Sequence, residues 1–109
     1  MANKLSIVII TKNEEKFITD AVNSSIFADE VLVLDSESTD KTCNIAKEIG
    51  ARVEQQAWLG FGAQKNKAVE LADNDWVFVL DADERITPEL RDEIIFTLKN
   101  PQFDGYRIA

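Results

Sequence analysis

Short apolar runs, spaced so that a helix fits between each pair, constrain this chain more than any other feature. Leu5-Ser6-Ile7-Val8-Ile9-Ile10, Glu30-Val31-Leu32-Val33-Leu34 and Trp76-Val77-Phe78-Val79-Leu80 are rich in β-branched and aromatic residues and too short for core helices. Such runs read as strands covered on both faces, the habit of parallel sheets with helical crossovers. Ala51-Arg52-Val53-Glu54-Gln55 alternates in polarity and reads as a shorter edge strand. Asn13 is predicted to cap a first helix, with Glu14 and Glu15 in its first turn and Phe17, Ile18, Ala21 and Val22 facing inward. Ser38 or Thr39 is expected to cap a second through Ile45, Ala46 and Ile49, which Gly50 ends. After a loop around Trp58-Leu59-Gly60-Phe61-Gly62, Ala68, Leu71 and Ala72 give residues 63–72 helical spacing. Thr87-Pro88-Glu89 opens a fourth helix, with Leu90, Ile94, Ile95 and Leu98 inward and Pro101 and Gly105 framing its end.

The alternation predicts an α/β fold over residues 1–109, a single domain with an open parallel sheet flanked by helices and right-handed crossovers. Tyr106-Arg107-Ile108-Ala109 reads as the opening of one more strand. An unfinished strand leaves an open sheet edge, so the chain reads as the first part of a longer domain, and self-association through that edge is expected.

Charge and composition exclude several functions. Twenty acidic against twelve basic residues give a net charge of -8, which repels a phosphate backbone and argues against a nucleic-acid partner. Without histidine there is no Ser-His-Asp or Cys-His catalysis and no His-ligated metal. The lone Cys43 excludes an internal disulfide and fits a reducing compartment. Leu5 to Ile10 is too short to span a bilayer or to serve as a signal segment, so the expected location is cytoplasmic.

What remains is carboxylate and lysine chemistry, and it gathers at strand ends. The fourth strand runs into Asp81-Ala82-Asp83-Glu84. If the chain stays extended there, Asp81 and Asp83 project together and Ala82 faces away. Two carboxylates about 6 Å apart repel by roughly 3 kcal/mol at an effective dielectric near 20, and a divalent cation reverses the sign. Aspartates are also common in turns after strands, and a D-x-D pair often occurs by chance. Asp35 ends the second strand and Thr11 to Glu14 follows the first, so three polar clusters should share the rim where open α/β sheets bind ligands. The turn Thr11-Lys12-Asn13-Glu14-Glu15 has no glycine and two glutamates, which makes it a poor pyrophosphate cradle. A nucleotide diphosphate would then depend on a cation at Asp81 and Asp83, a hard ion with oxygen ligands such as Mg²⁺ or Mn²⁺. Gln64-Lys65-Asn66-Lys67 is the local basic stretch near that rim, and Arg85 is placed to neutralise the acidic pair when no metal is bound.

Taken in order, Ser6–Glu15, Val33–Thr42, Gln64-Lys65-Asn66 and Asp81–Glu84 resemble the nucleotide-sugar-binding half of a family 2 glycosyltransferase of the GT-A fold, a Rossmann-like unit here truncated. The likeness is greatest to bacterial enzymes that add sugars to the lipopolysaccharide core. The resemblance implies that Thr11 and Glu14 line a nucleoside pocket, that Asp35 contacts the base and that Lys65 stands near the nucleotide. It also implies that Asp81 lies near the ribose and that Asp83 is the main protein ligand of a divalent cation bridging the diphosphate. The implied reaction is inverting, metal-dependent transfer from a UDP-sugar or similar donor to a saccharide or lipid-linked saccharide, with the full-length protein at the inner face of the membrane. The carboxylate base of that reaction would lie in a second half that these residues lack, so the isolated chain is expected to bind donor without efficient transfer. Glu37 and Glu84 are candidate substitutes for it, but nothing in their spacing recommends either. Rival readings are a non-catalytic, metal-binding flavodoxin-like interaction domain and a haloacid-dehalogenase-like phosphotransferase fragment.

Overall fold

The structure, a computed structural model, describes residues 3–99 and the backbone of residues 107 and 108. β-Branched side chains pack well on a pleated surface and poorly in a helix, and the apolar runs are strands accordingly. They are β1 (Leu5–Thr11), β2 (Glu30–Asp35), β3 (Arg52–Gln55), β4 (Trp76–Asp81) and the two-residue β5 (Arg107–Ile108). Between them lie α1 (Ile18–Ser25), α2 (Thr42–Glu48), α3 (Phe61–Leu71) and α4 (Pro88–Lys99). All four ladders are parallel, and the strand order is β3-β2-β1-β4-β5. That is the Rossmann order rather than the flavodoxin-like 2-1-3-4-5, so the topology does not favour the flavodoxin-like rival.

Strand alternation divides the core into two layers. Ile7, Ile9, Val33, Phe78 and Leu80 meet Ile18, Ala21 and Val22 of α1, Ala46 of α2 and Ile94 of α4. On the other face Val8, Leu32, Leu34, Val77 and Val79 meet Ala68 of α3. Ile7, Val8 and Ile9 are wholly buried, as a central strand requires. Each such side chain contributes about 1.5–3 kcal/mol relative to exposure.

Thr87 accepts from Leu90 N at 3.1 Å and Gly50 ends α2 at φ +98°, both as the sequence predicts. Three local expectations fail, each because a loop is used for something else. The first helix begins at Ile18, not at Asn13. Asn13 takes φ +52° and its Oδ1 accepts from Thr39 N at 2.8 Å, so its capping chemistry stitches two loops together. Phe17, read as inward, precedes the helix and is half exposed. Neither Ser38 nor Thr39 caps α2, which starts at Thr42, and Asp40 Oδ1 accepts from Thr42 N at 3.0 Å instead. The open edge expected at Tyr106 and Ala109 lies outside the described residues. Among those described, no helix is long and apolar enough to cross a membrane.

Candidate functional site

The register brings three of the predicted polar clusters to one level. Thr11 pairs with Asp35 across β1 and β2, Ile10 pairs with Asp81 across β1 and β4, and Gln55 of β3 pairs with Asp35. Asp35 and Asp81 are therefore two strand spacings apart, about 10 Å. The strand order reverses between β1 and β4, and the crevice beyond the strand ends at such a switch point is where open α/β sheets bind ligands. Thr11 and Asp81 flank it.

Asp35 is completely buried and its carboxylate is fully engaged. Thr11 Oγ1 donates to Oδ1 at 2.7 Å, Ser38 Oγ donates to the same oxygen at 2.6 Å, and Ser38 N donates to Oδ2 at 2.8 Å. Burial raises the pKa of the acid, but the hydrogen bonds from Ser38 and Thr11 outweigh it and hold the group below the ordinary carboxylate value. The neighbouring Cys43 thiol moves the other way, raised by its own burial and then by the charge and hydrogen bonding of Asp35. This thiol is a poor nucleophile.

The loops above Asp35 are zipped together. Glu14 is half-buried, and its backbone N–H donates to Thr42 Oγ1 at 2.9 Å. Asn13 N donates to Ser38 Oγ at 2.7 Å, and Lys41 N donates to Glu15 Oε2 at 3.3 Å. The stretch from Thr11 to Glu15 thus forms one wall with residues 36–42.

At the other side of the crevice the carboxylates are open. Asp81 and Asp83 are exposed while Ala82 is buried at 3%. The chain does not stay extended, however. Glu84 N donates to Asp81 O at 2.9 Å, closing a turn, and Glu84 Oε1 accepts from Asp81 N at 3.1 Å. Arg85 pairs with Asp20 at 3.6 Å rather than with the acidic pair, so its expected neutralising role gives way to a tie between the turn and α1. Two exposed carboxylates with room for further oxygen donors suit a hard divalent cation that takes its remaining ligands from a diphosphate and water. Among the described residues, no group of three or more acidic or sulfur ligands is gathered to hold a metal alone. Lys65, half-buried on α3, makes no ion pair among the described residues.

Sequence reading missed three participants. Ser38 reveals itself by the Asp-x-x-Ser spacing of a turn whose aspartate binds the backbone ahead of it. Thr42, wholly buried, carries no signal beyond its place in a polar loop. Gln64 lies at i, i+4 and i+7 with Ala68 and Leu71, an amide on an apolar stripe, and that mismatch was legible.

Comparison with known proteins bears on the chain as a whole. The family model for glycosyl transferase family 2 matches residues 6–106. A protein of Rickettsia bellii described as an uncharacterized glycosyltransferase is 47% identical, over 97% of this chain and 36% of its own length. The lipopolysaccharide core biosynthesis glycosyltransferase LpsC of Rhizobium meliloti is 33% identical, over 96% of this chain and 41% of its own. Among solved structures, residues 1-349 of S. aureus TarS in complex with UDP-GlcNAc superpose with a TM-score of 0.71 at 33% identity, covering 86% of this chain and 31% of that one. Glucosyl-3-phosphoglycerate synthase from Mycobacterium tuberculosis, in complex with Mn²⁺, UDP and glucosyl-3-phosphoglycerate, gives 0.70 at 27% identity, covering 85% and 40%. The chain spans little more than a third of the length of the Rickettsia relatives. With its Rossmann-ordered sheet, its polar switch point and this match along nearly its whole length, the chain belongs to glycosyltransferase family 2.

Proposed function

We propose that this chain is the donor-binding portion of an inverting, metal-dependent glycosyltransferase that takes a nucleoside-diphosphate sugar, with UDP the favoured nucleotide. One observation carries the reading: the strand ends that flank the switch point carry a buried, hydrogen-bonded Asp35 beside Thr11 on one side and the exposed carboxylates Asp81 and Asp83 on the other. Thr11, Glu14 and Asp35 form the nucleoside side. Asp35 stays ionised there, shapes the loop above it through Ser38, and is available to a base N–H when the Thr11 or Ser38 hydroxyl turns away. Asp81 serves the ribose side, Asp83 is the main protein ligand of Mg²⁺ or Mn²⁺ with Asp81 beside it, and Lys65 supplies positive charge near the phosphates. The metal, when bound, supplies Lewis-acid neutralisation of the departing diphosphate.

These residues hold the donor and orient its leaving group, and none of them is placed to deprotonate an acceptor. Because the chain spans little more than a third of its Rickettsia relatives, that base and most acceptor contacts are assigned to the part of such a protein that these residues do not cover. The LpsC likeness favours an acceptor in lipopolysaccharide or cell-envelope glycan synthesis, a saccharide or lipid-linked saccharide met at the inner face of the membrane. Calorimetric titration of UDP with Mn²⁺, and again with chelator, tests the reading. Binding that needs the metal and disappears in Asp83→Ala supports it, and absence of binding under both conditions refutes it.

A further inference from the structure

Gln64 is the largest fully buried polar side chain among the described residues. The apolar stripe of α3 would accept a leucine there, so the amide must answer to something other than packing. Its partners show what. Nε2 donates to Ser36 Oγ at 3.0 Å and, at the long limit of 3.5 Å, to the carbonyl of Gln56, while Oε1 accepts from Leu59 N at 3.1 Å. Three segments without regular structure of their own converge on one side chain: the turn after β2, the exit from β3, and the loop carrying Trp58. Each Nε2 partner is one backbone hydrogen bond from a proposed nucleoside residue. Ser36 N donates to Thr11 O at 2.9 Å, and Gln56 N donates to Asp35 O at 2.8 Å. α3 is anchored at the same point, because Gln64 N donates to Gly60 O at 2.8 Å, and Gly60 holds φ +97°, which an L side chain rarely adopts. Lys65 follows directly.

We propose that Gln64 is a positioning residue of the donor site, one that acts through Ser36 on Thr11, through Gln56 on Asp35, and through the first turn of α3 on Lys65. The inference rests on the donor-binding reading given above. Strand alternation agrees with the placement: Leu32 and Leu34 lead to Ser36 on the α3 side, and Val77 and Val79 lead to Asp81 on that same side. The amide thus ties the rim from beneath, on the side of the sheet where Asp81 lies.

The test uses two variants in a Trp76→Phe background, which leaves Trp58 as the fluorescent reporter of the loop. Gln64→Met keeps the length and removes both polar atoms. Gln64→Glu keeps the shape and the acceptor for Leu59 N but, when ionised, loses the donor to Ser36. Both should remain folded, expose Trp58 further to acrylamide, and bind UDP with Mn²⁺ about tenfold more weakly at pH 8, the order expected for an unmet buried partner. A buried glutamate regains its proton early, and the protonated acid donates as the amide does. The ratio of Gln64→Glu to wild-type affinity should therefore climb back toward one as pH falls from 8 to 6, a recovery that a packing role would not produce. If Gln64→Met fails to fold, Gln64→Glu carries the test alone. Wild-type binding with unchanged affinity in the folded variants overturns this inference and leaves the donor site standing. Wild-type protein that binds no UDP overturns the donor-site reading, and the positioning role falls with it.

Discussion

Two ends of one sheet rim treat their carboxylates in opposite ways. Asp35 is wholly buried, with both oxygens accepting hydrogen bonds from Thr11 and Ser38. Asp81 and Asp83, on the far side of β1, are exposed and stand over a tight turn. A carboxylate satisfied by its own chain organises the loops around it. A pair left to solvent is open to a ligand, which is the role proposed for it above. Similar residues at similar strand ends therefore do different work, and the difference lies in how many donors the neighbouring loop supplies.

The sharpest way to break this contrast is at the open end. Asp83→Ala should weaken Mn²⁺-dependent UDP binding by about a hundredfold, or 2.7 kcal/mol, with the thermal midpoint of the unliganded protein unchanged. Calorimetry and a melting curve on the same sample check both halves, and an unchanged affinity would remove Asp83 from the metal site. The closed end should behave in reverse. Asp35→Asn replaces one of the two acceptor oxygens by an N–H donor, set either against Ser38 N or against the Thr11 and Ser38 hydroxyls, and should cost about 2 kcal/mol of stability. For a domain of this size that is a fall in melting temperature of about 10 °C.

Acid titration sharpens the same point more gently. The folded state lowers the pKa of Asp35, so its contribution to stability is complete above the ordinary value of about 3.9 and is lost as pH falls through the lowered one. Chemical denaturation between about pH 5 and pH 2 should show a larger loss in wild type than in Asp35→Asn. Parallel curves would mean that Asp35 does not titrate as its hydrogen bonds require. The smallest effect belongs to Cys43, whose raised pKa predicts slow alkylation by iodoacetamide at pH 8. Removing the Asp35 charge should speed that reaction a few-fold, about the effect of one nearby carboxylate, and mass spectrometry over time would show it.

Much of this was legible in the chain. Strand positions followed from the β-branched runs, and the edge placement of β3 from its alternation, because burial on one or both faces writes itself directly into polarity. Thr87-Pro88-Glu89 and Gly50 marked helix ends by local chemistry that needs no distant partner. The failures at Asn13, Ser38 and Thr39 share one cause. These residues have good capping side chains, and across some 25 residues of sequence another loop offered them better use. Local propensity cannot see a competitor that distant. The turn after Asp81 escaped as well: it is closed by Glu84, whose N–H donates to Asp81 O and whose carboxylate accepts from Asp81 N, contacts that strand periodicity does not record.

The sequence by itself determined the layered parallel architecture, the absence of histidine and of an internal disulfide from these residues, and the family, since periodicity and motif spacing are properties of the chain alone. Only the tertiary structure decided that Asp35 is shielded while Asp81 and Asp83 stay open, that Arg85 turns to Asp20, and that Gln64 lies beneath the rim. Charge state and exposure depend on which groups meet in space, and hydrogen bonds between loops are made across distances in sequence that no local pattern records.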